Sequence, residues 1–516
     1  MNLDSKENVM NNIKTNSNNQ NSSEAPCQES QYFSEKPILL LIASFIVMFF
    51  ALGARELWTH EGRWAVICAE MLRRNDFFHP YLLDSSYYDK PLLSYWLMLF
   101  VNLFFNTLNE WSLRIPGALS GLITVFSTYF LGKKLFNQKV GMLSGWILIS
   151  TFYFIFWSRI ASTDIMNVAG ITLALAYYFN TKENPSFIHY SVFFIILSVT
   201  CLTKGLIGAV IPLLIIFPDI IKDNIWKKHF NFSFFLAAIP AGLIYLIPFM
   251  LSNIFGTQEL VAAQQSGLFL VFKENVLRFF QPFDHKGAFY IYFKFFPLYF
   301  FPWIFIFIFA AKSNFASWKN LNPSSKWAFM ACIIIFGFLT ASGSRRSYYI
   351  LPILPFASIV TAEWILQNSY PVRKKIAGYI MHISLLLVIL WFCIIQPFFI
   401  KSTERAFANE VVSKAKELKD WKQWKVLLIG GEIKTVFYLS PITETKNYNL
   451  PIDDENISSL EGFIKANPGT LIISRKKHEN ILDKLIQFNY IKVEEIQPSI
   501  FNKKIDTKQS VAYIPK

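Results

Sequence analysis

The chain has 516 residues, 53% of them hydrophobic, with 53 phenylalanines and a mean hydropathy of +0.34. Its apolar residues recur in blocks of near-spanning length, which excludes an ordinary soluble domain. The net charge of +14 does not indicate a nucleic-acid binder, because Lys and Arg are scattered over connectors and the C-terminal region instead of forming one basic stripe.

Residues 1–36 are rich in Asn, Ser, Gln and Glu and lack a basic stretch running into an apolar one, so they read as a disordered cytoplasmic tail and not as a cleavable signal. Apolar blocks follow at about 37–54, 92–105, 115–132, 140–157, 165–180, 187–203, 205–221, 232–252, 294–311, 326–341, 348–366 and 378–398. Residues 37–398 are therefore expected to form a membrane domain of about 11–13 helical spans. Residues 399–516 turn polar and are expected to form a small soluble α/β domain, with buried strands at 424–430 and 469–474 and an amphipathic helix at 477–488. Gly430-Gly431 follows the first strand without a GxGxxG or Walker pattern, so it reads as a strand-end turn. The cysteines, Cys27, Cys68, Cys201, Cys332 and Cys393, form no CxxC motif and no disulfide framework.

The connectors set the expected orientation. Lys133, Lys134, Lys139, Lys182, Lys222, Lys227, Lys228, Lys312, Lys319, Lys326, Arg373, Lys374 and Lys375 all fall in the cytoplasm if block 92–105 lies along or dips into the outer surface without crossing. The N-terminal tail is then inside and 399–516 outside. Connectors 55–91, 158–164, 253–293 and 342–347, with Lys204 at a tight turn, also become extracytoplasmic. They carry Glu61, Arg63, Asp89, Lys90, Arg159, Asp164, His285, Arg345 and Arg346. A carboxylate at a membrane boundary needs a partner or a role. For Asp164 the choices are a salt bridge to Arg159, a helix N-cap, or chemistry; for Glu61 they are solvation, local pairing, or chemistry.

Four motifs weigh on that choice: His-Glu-x-Arg-Trp-Ala at 60–65, Tyr-Tyr-x-Lys-Pro-Leu at 87–92, Glu-Trp-Ser-x-Arg-Ile-Pro at 110–116 and Arg-x-Ala-x-Thr-Asp at 159–164. With Thr-Lys-Gly at 203–205, Phe-x-His at 283–285 and the Ser-to-Leu-Pro stretch at 344–352, they resemble the bacterial aminoarabinose–lipid A transferases, which group with the protein O-mannosyltransferases among polytopic GT-C glycosyltransferases. The resemblance covers about residues 40 to 365. It implies a mainly α, GT-C-type helical membrane domain with a small extracytoplasmic α/β domain. It also implies inverting transfer of a sugar, 4-amino-4-deoxy-L-arabinose or a relative, from undecaprenyl phosphate to lipid A, another envelope glycolipid or a protein, in the bacterial inner membrane.

By that resemblance Lys90 matches a lysine beside the donor phosphate, with Arg63, Lys204, Arg345, Arg346, Tyr348 and Tyr349 as further phosphate-binding candidates. Arg345 and Arg346 equally suit lipid head groups. Glu61 and Asp164 are the expected assisting carboxylates. His60 stands where the family carries an Asp before the Glu, and a neutral imidazole there is suited to accept a proton. A divalent metal, implied for some relatives, would be held by Asp89 and His285; an Asp–His hydrogen bond is the alternative. The rival readings are a protein O-mannosyltransferase-like enzyme and a lipid or solute transporter. The second is disfavoured by the absence of a repeat and by charges gathered at one face.

Overall fold

The structure is a computed structural model that describes residues 33–83, 85–222, 226–255, 287–367, 371–400, 403–439, 444–448, 457–486, 489–495 and 509–516. Each apolar block of the sequence meets a helix. The chain opens with α1 (Pro37–Phe49), amphipathic α2 (Thr59–Arg74), the antiparallel pair β1 (Tyr81–Leu82) and β2 (Ser85–Ser86), and α3 (Leu93–Phe105). A helical bundle follows: α4 (Glu110–Leu135), α5 (Gln138–Ile149), α6 (Phe152–Ser158), α7 (Thr163–Thr181), α8 (Phe187–Lys204), α9 (Ile207–Lys222), α10 (Trp226–His229) and α11 (Phe232–Ile254). It is completed by α12 (Ile291–Tyr299), α13 (Ile304–Ala316), α14 (Pro323–Ala341), α15 (Leu354–Leu366), α16 (Pro371–Ile389) and α17 (Gln396–Phe399).

Among the described residues, 6 helices are long and apolar enough to cross a membrane, or up to 8 if the bent pairs α5–α6 and α12–α13 each count as one span. The apolar helices α1, α3 and α9 are shorter, so 6 to 8 of the roughly 11–13 expected spans meet that length among the described residues. The bundle presents large apolar side chains outward, such as Phe104 at 71%, Phe232 at 80% and Leu386 at 64% exposure. A soluble protein does not clothe itself this way. The chain is a multi-span membrane protein. At 13 residues, α3 is about 20 Å long, short of the roughly 30 Å hydrocarbon core.

A close helix approach positions the functional turn. A Cβ on Gly117 of α4 would lie 2.7 Å from the carbonyl oxygen of Ile160, and one on Gly121 would lie 2.5 Å from the Ser158 hydroxyl. Only glycine lets α4 press against the 158–162 turn that leads into α7.

The C-terminal unit comprises α18 (Thr403–Leu418), β3 (Lys425–Ile429), α19 (Ile433–Tyr438), β4 (Glu444–Tyr448), α20 (Ile457–Ala466), β5 (Leu471–Arg475), α21 (Glu479–Leu485), β6 (Tyr490–Glu494) and β7 (Ser510–Pro515). Its sheet runs β4-β3-β5-β7-β6, parallel across β4, β3 and β5 and antiparallel at β7 and β6. Both expected strands are present. The expected helix at 477–488 is shorter: a 3-10 turn at Lys476–His478 precedes the 7-residue α21. Gly430, with φ of 59°, takes the left-handed turn that ends β3.

The strand period of two sorts side chains between two cores. Val426 and Leu428 face a core shared with Trp64, Ile67 and Tyr95 of α2 and α3, whereas Leu427 and Ile429 face Leu460 and Ile464 of α20. The α/β unit is thus packed onto the 55–105 segment. Polar contacts seal the joint: the Leu57 amide donates to the Tyr438 hydroxyl at 2.7 Å, that hydroxyl donates to Glu110 at 2.7 Å, and Lys434 pairs with Glu56 at 3.1 Å. A Cβ on Gly62 would stand 2.7 Å from the Lys434 backbone nitrogen. Gly62→Val is therefore expected to pry the α/β unit from α2, seen as faster proteolysis of residues 400–516 than in the parent and a lower unfolding temperature in detergent.

Candidate active site

The start of α2 is fixed by one carboxylate. Glu61 accepts from the Trp58 amide at 2.7 Å, closing the helix N-terminus. It also accepts from Arg114 at 2.7 and 2.8 Å, from Arg55 at 3.0 Å and from the Ala161 amide at 2.8 Å. Arg114, 1% exposed on α4, places its remaining donors on the carbonyls of Leu52, Arg55 and Glu56. Burial by itself would raise the Glu61 carboxyl, but Arg114, Arg55 and the Trp58 amide together hold it below the usual carboxylate range. Four chain segments meet on this pair: the loop after α1, α2, α4 and the turn before α7.

This corrects the sequence expectation for Glu61. It is fully buried, its oxygens are saturated by cations and amides, and it does not line the pocket described below. It positions its neighbours. Arg114 falls in the 110–116 motif, and an arginine within an apolar helix signals a buried acidic partner.

Beside this pair lies a pocket lined by His60, Arg63, Trp64, Asp89, Lys90, Trp157, Ser162, Thr163, Asp164, Lys204, Tyr348 and Tyr349. Eight of the twelve sequence-selected residues are brought together there. Asp164 opens α7, where Ser162 caps the helix by accepting from the Asp164 amide at 3.1 Å and donates to its carboxylate at 2.6 Å. The N-terminus of the helix sets partial positive charge beside this carboxylate. Its ion-pair partner is Lys204, at 2.5 Å. The expected alternative partner, Arg159, instead donates to the carbonyls of Val47 and Phe50 at 2.7 and 2.9 Å, capping α1. Lys204 ends α8, and Gly205, with φ of 118°, turns the chain so that the ammonium lies 4.4 Å from the Tyr349 ring centroid.

On the opposite wall Arg63 donates to the Tyr87 hydroxyl at 2.6 Å, Tyr87 donates to Asp89 at 2.9 Å, and Lys90 pairs with Asp89 at 3.2 Å. Three cations, Arg63, Lys90 and Lys204, thus outnumber two carboxylates, so the pocket favours an anion. His60 lies between Trp58, tilted against it, and Tyr348, edge-on, with centroids 4.7 and 5.9 Å away. Burial, then Arg63 and Arg346, lower its basicity against the opposing pull of Asp164, so the imidazole is neutral at pH 7. The cavity is small, about 30 Å³, with polar and aromatic walls.

Three other expectations fall elsewhere. Arg345 does not line the pocket: it donates to the carbonyls of Thr340 and Gly287 at 3.0–3.1 Å and so clamps the segment before Tyr348. Arg346 bears on His60 electrostatically but is not a lining residue. His285 lies outside the described residues. Asp89 is already bound by Tyr87, Lys90 and Arg63, a cationic setting that does not suit a divalent ion, and no cluster of three His, Cys, Asp or Glu able to hold one occurs among the described residues.

The sequence profile of the family described as Dolichyl-phosphate-mannose-protein mannosyltransferase matches residues 89–251. A protein of Aquifex aeolicus (strain VF5) is 25% identical over 82% of this chain and 86% of its own length. The undecaprenyl phosphate-alpha-4-amino-4-deoxy-L-arabinose arabinosyl transferases of Shewanella sediminis and Wigglesworthia glossinidia brevipalpis are 24% and 28% identical over 66% and 65% of this chain. The match spans 61% and 60% of those two proteins. The crystal structure of ArnT from Cupriavidus metallidurans bound to undecaprenyl phosphate superposes with a TM-score of 0.71 at 16% identity, covering 92% of this chain and 97% of that one. The chain has the GT-C fold. An Archaeoglobus fulgidus oligosaccharyltransferase shares this fold more distantly, with a TM-score of 0.55 at 12% identity over 90% of this chain and 74% of that one.

In this GT-C protein the Glu61–Arg114 pair is predicted to dominate local stability. Arg114→Leu strands a buried carboxylate and should cost about 3–5 kcal/mol, read as a fall in unfolding temperature in detergent. Lys414→Leu, at an exposed i,i+4 pair, should cost under about 1 kcal/mol.

Proposed function

We propose that the chain is an inverting glycosyltransferase that moves a sugar from undecaprenyl phosphate to lipid A or another envelope acceptor. Its proposed setting is the bacterial inner membrane, with residues 1–36 cytoplasmic and residues 399–516 periplasmic. The observation that carries the reading is the single pocket in which Lys90, Arg63 and Lys204 converge around Asp164 at one end of an apolar bundle. The named activity of the arabinosyl transferase relatives supports it.

In the proposed reaction the acceptor oxygen attacks the anomeric carbon opposite the phosphate. The C–O bond to phosphate breaks with its electron pair, and the polyprenyl phosphate leaves. Lys90 and Arg63 hold the phosphate and stabilise its growing charge, an effect worth several kcal/mol in a water-poor site. Lys204, anchored by Asp164, supplies the third cation, and the hydroxyls of Tyr348 and Tyr349 border the same space. Asp164 is the carboxylate that faces the reacting centre. A phosphate acceptor is already ionised and needs no base; for a hydroxyl acceptor, neutral His60 takes the proton. The family profile gives one reason for a second reading, transfer to a protein hydroxyl.

Mass spectrometry of envelope lipids from cells with and without the chain tests this. A lipid A mass increment that requires Asp164 and Lys90 is expected, with Asp164→Asn and Lys90→Ala each losing at least about a hundredfold in transfer while inserting normally in the membrane. An increment on protein instead would favour the second reading, and normal transfer by either variant would overturn the residue roles.

The pH profile tests His60 separately. Because its surroundings lower its pKa, the acid limb of a hydroxyl-acceptor reaction should lie below pH 6.5, the ordinary imidazole value. The neutral form works above the pKa, so activity falls as pH drops through it. His60→Gln should be slower and lose that limb; an unchanged limb would remove His60 from proton transfer.

A further inference from the structure

A second cavity, of about 500 Å³, lies at the far end of the bundle between α7, α8, α9, α10 and α11. Asp164 begins α7 and Lys182 follows its end, so the two cavities are separated by about 27 Å along one helix, close to the thickness of the hydrocarbon core. The same end carries Lys133, Lys134, Lys139, Lys182 and Lys228. Its volume falls within the range of small-molecule sites, roughly 300–1,000 Å³.

The walls are apolar: Tyr178, Phe193, Ile216 and Phe234 line the interior. At the rim Leu213 and Phe217 are 46% and 61% exposed, so the cavity opens sideways toward the hydrocarbon. One polar group is set into this wall. His229 is only 4% exposed, lines the cavity, and its Nε2 atom has no hydrogen-bond partner. An unsatisfied polar atom in such a place costs about 1–3 kcal/mol.

The turn that follows His229 is braced from both sides. The Asn231 side chain is oriented by accepting from the Phe234 amide and donating to the Lys228 carbonyl, both at 3.0 Å. The Tyr190 hydroxyl lies 3.2 Å from His229 Nδ1; when Tyr190 donates to Nδ1, the ring hydrogen is on Nε2. The site thus combines one buried donor with an apolar slot that opens into the membrane. The adjacent Lys182 is paired with Asp219 at 2.9 Å, so the excess positive charge comes from the surrounding connectors.

We propose that this cavity binds a glycerophospholipid from the leaflet opposite the Asp164 pocket. One acyl chain lies along Phe193, Ile216 and Phe234, and His229 donates Nε2–H to an ester or phosphate oxygen. The basic connectors favour an anionic head group.

The test is native mass spectrometry of the purified full chain in detergent, titrated with 1-palmitoyl-2-oleoyl-phosphatidylglycerol. The parent should retain one phospholipid through detergent exchange. His229→Leu removes the donor and Leu213→Trp closes the exposed mouth; each should weaken retention about tenfold. Leu213→Trp, at a membrane-facing position, keeps the test decisive if His229→Leu does not fold. Equal retention by parent and folded variants would mean belt lipid only and would overturn the proposal. Displacement of the phospholipid by undecaprenyl phosphate at equal concentration would also overturn it, because the slot would then serve the polyprenyl chain.

Discussion

The buried ion pair between Glu61 and Arg114 is the constraint from which the candidate site follows. A carboxylate and a guanidinium held out of water are stable only when every remaining donor and acceptor is used. Here the ring of partners includes carbonyls from 52, 55 and 56 and amides from 58 and 161. Those partners belong to segments that glycine packing of α4 on the 158–162 turn also draws together. Drawing them together sets His60 and Arg63, the neighbours of Glu61, on one side of a space and Asp164, three residues past Ala161, on the other. The pocket is a by-product of satisfying one buried charge pair.

The C-terminal α/β unit extends that constraint outward. It packs its α19 against Gly62 and seals Glu56 and Glu110 with Lys434, Arg405 and Tyr438. The α2 segment is thereby held from both sides, by the bundle through Arg114 and by the sheet through α19. A long loop positioned this way behaves as part of the scaffold, which suits a site that must be pre-organised.

Much of this was legible in the sequence. Apolar blocks located the helices because a spanning helix has to be apolar along its length, and the strand runs Val426–Ile429 and Leu471–Ser474 stood out against a polar background. Asp164 stood out because a carboxylate at a membrane boundary is costly, and Lys90 and Lys204 through the resemblance carried by the motifs at 87–92 and 203–205. The role of Glu61 could not be read, since a motif gives residue identity without burial, and a carboxylate pointing into a pocket has the same letter as one locked to an arginine. Arg345 was misjudged for the same reason: its partners are the carbonyls of Thr340 and Gly287, which no side-chain pattern reveals. The short strands β4, β6 and β7 carry too little periodicity to mark themselves, and β7 owes its place to pairing with β5 across a long stretch of chain.

The tightness of the Asp164 pocket carries a consequence for the proposed chemistry. An activated glycosyl phosphate in contact with bulk water is lost to hydrolysis, the water acting as an unwanted acceptor. A donor seated in the space walled by Tyr348, Tyr349 and Trp157 would displace the water from it. Fidelity toward the intended acceptor would rest on that exclusion of solvent as much as on recognition of the acceptor itself, so enlarging the pocket would be expected to waste donor before it broadened specificity.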